Sequence, residues 1–115
     1  MTVTIYHNPR CSKSRQTLSL LQEKGVEPEI VEYLKTPPDT KTLKRLLDML
    51  GLEPRDLMRK KEKEYEENEL GNPNLTRDEL IAAMVANPKL IERPIVIQGG
   101  KAALGRPPES VLDIL

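Results

Sequence analysis

The stretch TVTIYHNPRCSKSRQTLSLLQEKG, residues 2–25, changes its hydrophobic period halfway along. Val3 and Ile5 alternate with polar neighbours, which predicts a short strand over 2–6 with one apolar face. The run HNP (7–9) is a turn signal. From Cys11 to about Lys24 the pattern is helical, with Leu18 and Leu21 three apart and Gly25 where a terminating glycine belongs. A second strand is expected at EIVEYL (29–34), broken by TPPD (36–39). Leu43, Leu46, Leu47 and Leu50 follow the i, i+3, i+4, i+7 template, and Gly51 stops that helix. A further helical stretch is expected from about Asp56 to Glu67, followed by one opened by Thr76 and Glu79 as a capping box. PIVIQGGKAALG (94–105) reads as a hairpin turning at Gly99-Gly100, and PESVLDIL (108–115) as a terminal helix with Pro108 near its first position.

The order is therefore β-α-β, three helices, then β-β-α. A strand, helix and strand this close together imply a right-handed parallel crossover. The closing β-β-α completes a four-stranded mixed sheet, which is the α/β thioredoxin-like plan with a helical insertion between its βαβ and ββα halves. One domain over 1–115 is expected, with the insertion at about 39–88. With three Tyr and no Phe or Trp, the core must be built of Leu, Ile, Val and Met. The charged run RKKEKEYEE (59–67) reads as a solvated helix face carrying Lys60/Glu64 and Lys63/Glu67 pairs.

The 115 residues carry 18 Lys and Arg against 18 Asp and Glu, so the formal net charge is zero. That argues against a nucleic-acid or anionic-membrane footprint. No apolar window approaches the ~20 residues needed to span a bilayer. The first ten residues lack the apolar run of a secretory signal. A lone cysteine forms no internal disulfide, which agrees with a reducing cytoplasm. One Cys and one His do not make a structural zinc set, so no metal is expected.

HNPRCSKSR (7–15) holds the only cysteine and the only histidine of the chain, together with Arg10, Lys13 and Arg15 and no acid. Cys11 follows a strand and opens a helix, where free N–H groups and the helix dipole favour a negative charge. Cysteines in such settings are acidified and nucleophilic. The plainer alternative, a small buried apolar residue, fits poorly with a turn of Asn, Pro, Arg, Ser and Lys. Together the cations look like an anion site, although each alone reads equally as a surface charge. Ser12 and Ser14 read as first-turn or surface residues. His7 reads equally well as a proton carrier and as an ordinary strand-end residue.

IYHNPRCSKSR, YLKTPPD, LMRK, ERPIVI and GRPPE together resemble, in this order and over nearly the whole chain, the glutaredoxin-coupled arsenate reductase family. The resemblance implies a thioredoxin-like fold with a helical insertion. It also implies a cytoplasmic enzyme that reduces arsenate to arsenite, with glutathione as co-substrate and glutaredoxin as partner, and no bound cofactor. By position it makes Cys11 the nucleophile and Arg59, Arg93 and Arg106 the oxyanion-binding arginines. Ser14 joins the substrate site, and His7 and Pro94 support it; Arg10 stands where the family usually has a small residue, and its supporting part is expected through thiol acidity. The Arg93-Pro94 bond is expected to be cis, as the thioredoxin-like plan implies at that place. Members of the family usually read Cys-Gly-Thr-Ser at the active turn; Cys11-Ser12-Lys13-Ser14 marks a related subfamily.

The single cysteine supports an external reductant independently, because the chain holds no resolving thiol. Nor does it fit a phosphatase-like loop, since Thr17 occupies the position where that loop needs an arginine. Two other readings use the same residues. One is a thioredoxin-like regulator that binds RNA polymerase, although such switches commonly use Cys-x-x-Cys and Ser14 stands in the second place. The other is a general monothiol oxidoreductase of glutaredoxin type.

Overall fold

In the computed structural model, which describes residues 2–115, Val3–His7 form β1, with Val3, Ile5 and His7 turned inward. Helix α1 runs Ser12–Glu23 and begins directly after the turn, with Cys11 in extended conformation as its N-cap residue. The helix closes on Gly25, whose φ of 77° only glycine adopts without cost. There Val26 N–H donates to Leu21 O at 2.9 Å and Gly25 N–H to Gln22 O at 3.0 Å, so the last carbonyls are satisfied. The chain then enters β2, Glu29–Glu32, which pairs parallel with β1 and sets Ile5 beside Ile30.

The sheet is completed from the far end of the sequence. Strands β3 (Ile95–Gln98) and β4 (Lys101–Leu104) form the expected hairpin around Gly99-Gly100. β3 lies antiparallel to β1, with Ile5 opposite Val96, so the strand order is β2-β1-β3-β4. Val3, Ile5, Leu21, Val96 and Val111 form the core of this unit, flanked by Leu18, Val26, Ala103 and Ile114. It is aliphatic throughout, and each fully buried side chain of this kind contributes roughly 1.5–3 kcal/mol. The expectation of a four-stranded mixed sheet in the thioredoxin-like plan is met.

The chain divides into two units, one made of residues 1–36 and 93–115 and the other of residues 37–92. The second is helical. Helix α2 (Thr40–Leu50) is capped by Asp39, whose carboxylate accepts from Thr42 N–H at 2.8 Å. It buries Leu43, Leu46 and Leu47 and packs on α4 (Arg77–Ala86). The Thr76/Glu79 capping box forms as expected, with Glu79 N–H to Thr76 Oγ1 at 3.2 Å and Thr76 N–H to Glu79 Oε1 at 3.0 Å.

Four sequence expectations need correction. The helix from Asp56 to Glu67 is not continuous. A 3-10 turn at Pro54–Leu57 gives way to extended chain at Met58 and Arg59, and only Lys63–Glu67 form helix α3. The interruption is a tertiary pairing: Met58 bridges Ile91, Arg59 N–H donates to Leu90 O at 2.7 Å and Glu92 N–H to Leu57 O at 2.8 Å. Backbone bonds to a segment some thirty residues away override local helix preference. The Lys60/Glu64 and Lys63/Glu67 pairs also do not form among the described residues; Arg59 pairs with Glu62 and Glu92. The second strand stops at Glu32, because Lys35 and Thr36 N–H groups turn back onto Glu32 O at 2.9 and 3.0 Å. The C-terminal segment Pro108–Ile114 is a 3-10 helix rather than an α-helix. Among the described residues no helix is long and apolar enough to cross a membrane.

The capping box gives the first prediction. Thr76→Ala removes one helix-end acceptor and should lower stability by about 1 kcal/mol, measured by urea unfolding. Thr76→Ser should retain most of it.

Candidate active site

The chemistry collects where α1 begins. Cys11 N–H donates to Asn8 O at 3.0 Å, closing the turn, and Cys11 C=O accepts from Arg15 N–H at 3.0 Å, opening the helix. Cys11 is 7% exposed, so the residue is buried as the plainer reading had it, but its neighbours are polar. Burial pushes the thiol pKa up. The Ser14 and Lys13 N–H groups at the open helix end and the guanidinium of Arg93, which also hydrogen-bonds the sulfur, more than offset this. The net result is a pKa below the ordinary thiol value, as expected for a nucleophilic cysteine.

The cations at the sulfur come from the far end of the chain. Arg93 ends the approach to β3 and Arg106 follows β4. Arg106 Nη2 donates toward Cys11 Sγ at 3.8 Å, and its Nε donates to Arg93 O at 2.8 Å, so one arginine ties the other's backbone to the site. The local cations do otherwise. Arg15 folds back, with Nη1 on Pro9 O at 2.8 Å, while Arg10 and Lys13 lie exposed at the surface. Arg59 belongs to the helical unit, where its guanidinium pairs with Glu62 and Glu92.

His7 and Ser14 form a pair. His7 Nδ1 and Ser14 Oγ lie 2.6 Å apart, and the same oxygen accepts from Asn8 N–H at 3.1 Å. Ser14 is fully buried, so the surface reading of this serine does not hold. Its hydroxyl faces His7 while its backbone N–H favours the thiolate. His7 is pushed below its ordinary pKa first by burial. Arg15 adds to that and Glu32, beside it on β2, opposes it. The ring is therefore neutral at pH 7, and with Asn8 filling one lone pair the Ser14 O–H is free to donate to Nδ1. The pair braces the turn whose next residues are Pro9, Arg10 and Cys11.

Both Arg93-Pro94 and Arg106-Pro107 are cis, the first as expected and the second unforeseen. A further residue escaped the sequence reading. A Cβ on Gly105 would lie 2.4 Å from Thr17 Oγ1 and 2.7 Å from Pro94 Cγ. Gly105 N–H also donates to Pro94 O at 3.0 Å. Thr17 is itself fully buried and fixed, its hydroxyl donating to Lys13 O at 2.8 Å. Only glycine lets α1, Pro94 and the end of β4 approach so closely. The single available signal was a glycine immediately before the Arg-Pro pair. Among the described residues no three His, Cys, Asp or Glu side chains gather as a metal set.

The ArsC family model matches residues 6–114. The chain is 52% identical over 114 residues to a protein of Neisseria meningitidis serogroup A named arsenate reductase, covering 98% of this chain and 97% of that one. It is 60% identical to YfgD of Escherichia coli K12, described as uncharacterized, over 98% and 96% of the two chains. The structure named arsenate reductase from Vibrio cholerae superposes with a TM-score of 0.98 at 56% identity, covering 100% of this chain and 98% of that one.

Two outcomes follow from the geometry. The pH midpoint of Cys11 alkylation by iodoacetamide should fall below about 8.5, the free-thiol value, and Arg93→Ala should move it upward; a wild-type midpoint at or above the free value contradicts the site electrostatics. Gly105→Ala should cost about 1–3 kcal/mol in overpacking by urea unfolding, and should slow alkylation at neutral pH by displacing Arg106 and Arg93.

Proposed function

The chain belongs to the ArsC family, and we propose that it reduces arsenate to arsenite through a Cys11 thiolate, with glutathione as the thiol co-substrate and a glutaredoxin completing the cycle. The observation that carries the reading is the meeting of two guanidinium groups, from Arg93 and Arg106, at one acidified sulfur. A multiply charged oxyanion approaching a thiolate is repelled unless cations offset both charges. Arginine does this throughout the pH range in which the thiolate forms, and its planar fork suits a tetrahedral oxyanion.

In the proposed sequence the Cys11 thiolate attacks arsenic and displaces an oxygen, which leaves as water after protonation. A glutathione thiolate then attacks the sulfur of the adduct. The sulfur–arsenic bond breaks with its electron pair passing to arsenic, and arsenite departs. Cys11 is left as a mixed disulfide with glutathione, and a glutaredoxin thiol resolves it by exchange. The two electrons come from two external thiols, as a chain with one cysteine requires.

We assign oxyanion binding chiefly to Arg93 and Arg106. The part of Arg59 rests on the family motif alone. Ser14 acts through its backbone N–H on the thiolate, and its hydroxyl with His7 positions the turn. Arg10 tunes the thiol from the surface.

The test is arsenite release with glutathione and glutaredoxin, omitting each in turn. Arg93→Ala and Arg106→Ala should each lower catalytic efficiency several-fold to a few hundredfold, taking ~1.5–3 kcal/mol for a charge-assisted bond. Arg→Lys should rescue only partly, and Arg10→Ala should matter less. Retained efficiency in both alanine variants with loss in Arg10→Ala moves the anion site onto the turn. No arsenite release with any donor overturns the arsenate assignment.

A further inference from the structure

Two grooves flank the active cysteine, one beside the residues that precede it and one beside those that follow. The first, of about 370 Å³, is lined by Asn8, Pro9 and Arg10 of the turn and by Glu32, Leu34 and Lys35 at the end of β2, with His7 at its wall. The second, of about 780 Å³, runs along α1 past Arg15 and Glu23 to Pro108 and Glu109. Their charges differ in sign. The first carries two cations, Arg10 and Lys35, against one carboxylate, Glu32; His7, held neutral by burial, adds nothing. The second carries one cation, Arg15, against two carboxylates, Glu23 and Glu109.

Glutathione presents two carboxylates and one ammonium, a net charge of −1 at neutral pH. We propose that the groove between the turn at residues 8–10 and the end of β2 binds glutathione, its two carboxylates toward Arg10 and Lys35 and its ammonium toward Glu32. This assignment rests on glutathione as the thiol co-substrate. The groove has the opposite balance, cation for carboxylate and carboxylate for ammonium. Glu32 and Lys35 already lie 3.6 Å apart, with side chains 42% and 78% exposed, so the pair opens to a zwitterion at little cost. The Arg10 guanidinium enters no ion pair among the described residues and is exposed. Leu34, 40% exposed, and Pro9 offer the peptide stem an apolar surface.

The groove is also in the right place. Arg10 directly precedes Cys11, and consecutive Cα atoms are about 3.8 Å apart. A tripeptide extends about 10 Å, so a glutathione lying between Lys35 and Glu32 at one end and Arg10 at the other carries its cysteinyl residue beside the turn that leads into Cys11. The second groove also reaches a sequence neighbour of Cys11, Ser12, but its excess of carboxylates repels the same ligand.

The experiment uses no arsenate. Wild-type protein with Cys11 reduced is mixed with glutathione disulfide, and formation of the Cys11–glutathione mixed disulfide is followed by intact mass. The Cys11 thiolate attacks one sulfur, the disulfide bond breaks, and one glutathione thiolate leaves. The neutral hydroxyethyl disulfide is run in parallel, which cancels any change in thiol acidity. Lys35→Glu and Arg10→Glu should each lower the glutathione rate relative to the hydroxyethyl rate roughly tenfold, the loss expected on reversing one partly solvated charge. Glu109→Lys in the other groove should leave that ratio unchanged. A ratio within twofold of wild type in Lys35→Glu overturns the site, as does a larger effect from Glu109→Lys. Arsenite release plays no part in the measurement, so the groove is tested even if the chain proves inactive on arsenate.

Discussion

The close approach at Gly105 governs the geometry of the candidate site. Three separate pieces of chain share one point there: Thr17 on the buried face of α1, Pro94 before β3, and the backbone leaving β4. Each adjoins a part of the candidate site. The helix bearing Thr17 presents its first N–H groups to the sulfur, the residue before Pro94 is Arg93, and the residue after Gly105 is Arg106. A site assembled from residues 11, 93 and 106 needs its supports fixed to a fraction of an ångström. A missing side chain achieves that by allowing backbone contact where any other residue would hold the pieces apart.

Charge at the sulfur is settled by competition between two effects of comparable origin. Taking a thiol out of water disfavours its anion, and the helix end with the guanidinium of Arg93 favours it. The outcome is a thiol more acidic than an ordinary cysteine and largely shielded from water. The more obvious cations, Arg10, Lys13 and Arg15, contribute less directly. Side chains at a helix start point in different directions, and one of them is bound to the carbonyl of Pro9. Residues remote in sequence supply directed charge more effectively because the sheet delivers them along converging paths.

Features encoded by local spacing were legible. The switch from alternation to helical period at residue 11, the glycine stop at Gly25, the Thr76/Glu79 box and the Gly99-Gly100 turn all depend on neighbours within about five residues. The sheet followed from their order. Features made by distant partners were not legible. Nothing near Met58 signals that Leu90 and Glu92 will claim the backbone there, so a charged stretch with good helix formers reads as one helix. Ser14 looks like a surface residue because its partner, the His7 ring, stands on another element. Gly105 looks like loop punctuation because the atoms that exclude a Cβ belong to residues 17 and 94. The two arginines at the sulfur entered through family resemblance; their spacing from Cys11 carries no local mark.

The division of the chain at residues 36 and 93 bears on how the sheet comes into being. Ile5 pairs with Val96, so the central pairing of the sheet closes a loop of about 90 residues. By the logarithmic law, closing so long a flexible loop costs on the order of 4 kcal/mol beyond the constant term. Most of that loop is the helical unit, which is held by contacts of its own, Met58 with Ile91 and α2 with α4 among them, and whose ends lie only a few residues of chain from β2 and β3. Once it is ordered, the flexible chain still to be closed shrinks to short joints, and the entropic cost falls with it. Contacts across some thirty to forty residues close a shorter loop than a pairing across about ninety, and so come at a lower entropic cost. The insertion thus serves the sheet as a pre-wound spacer, an assembly aid in addition to whatever it contributes once the protein is folded.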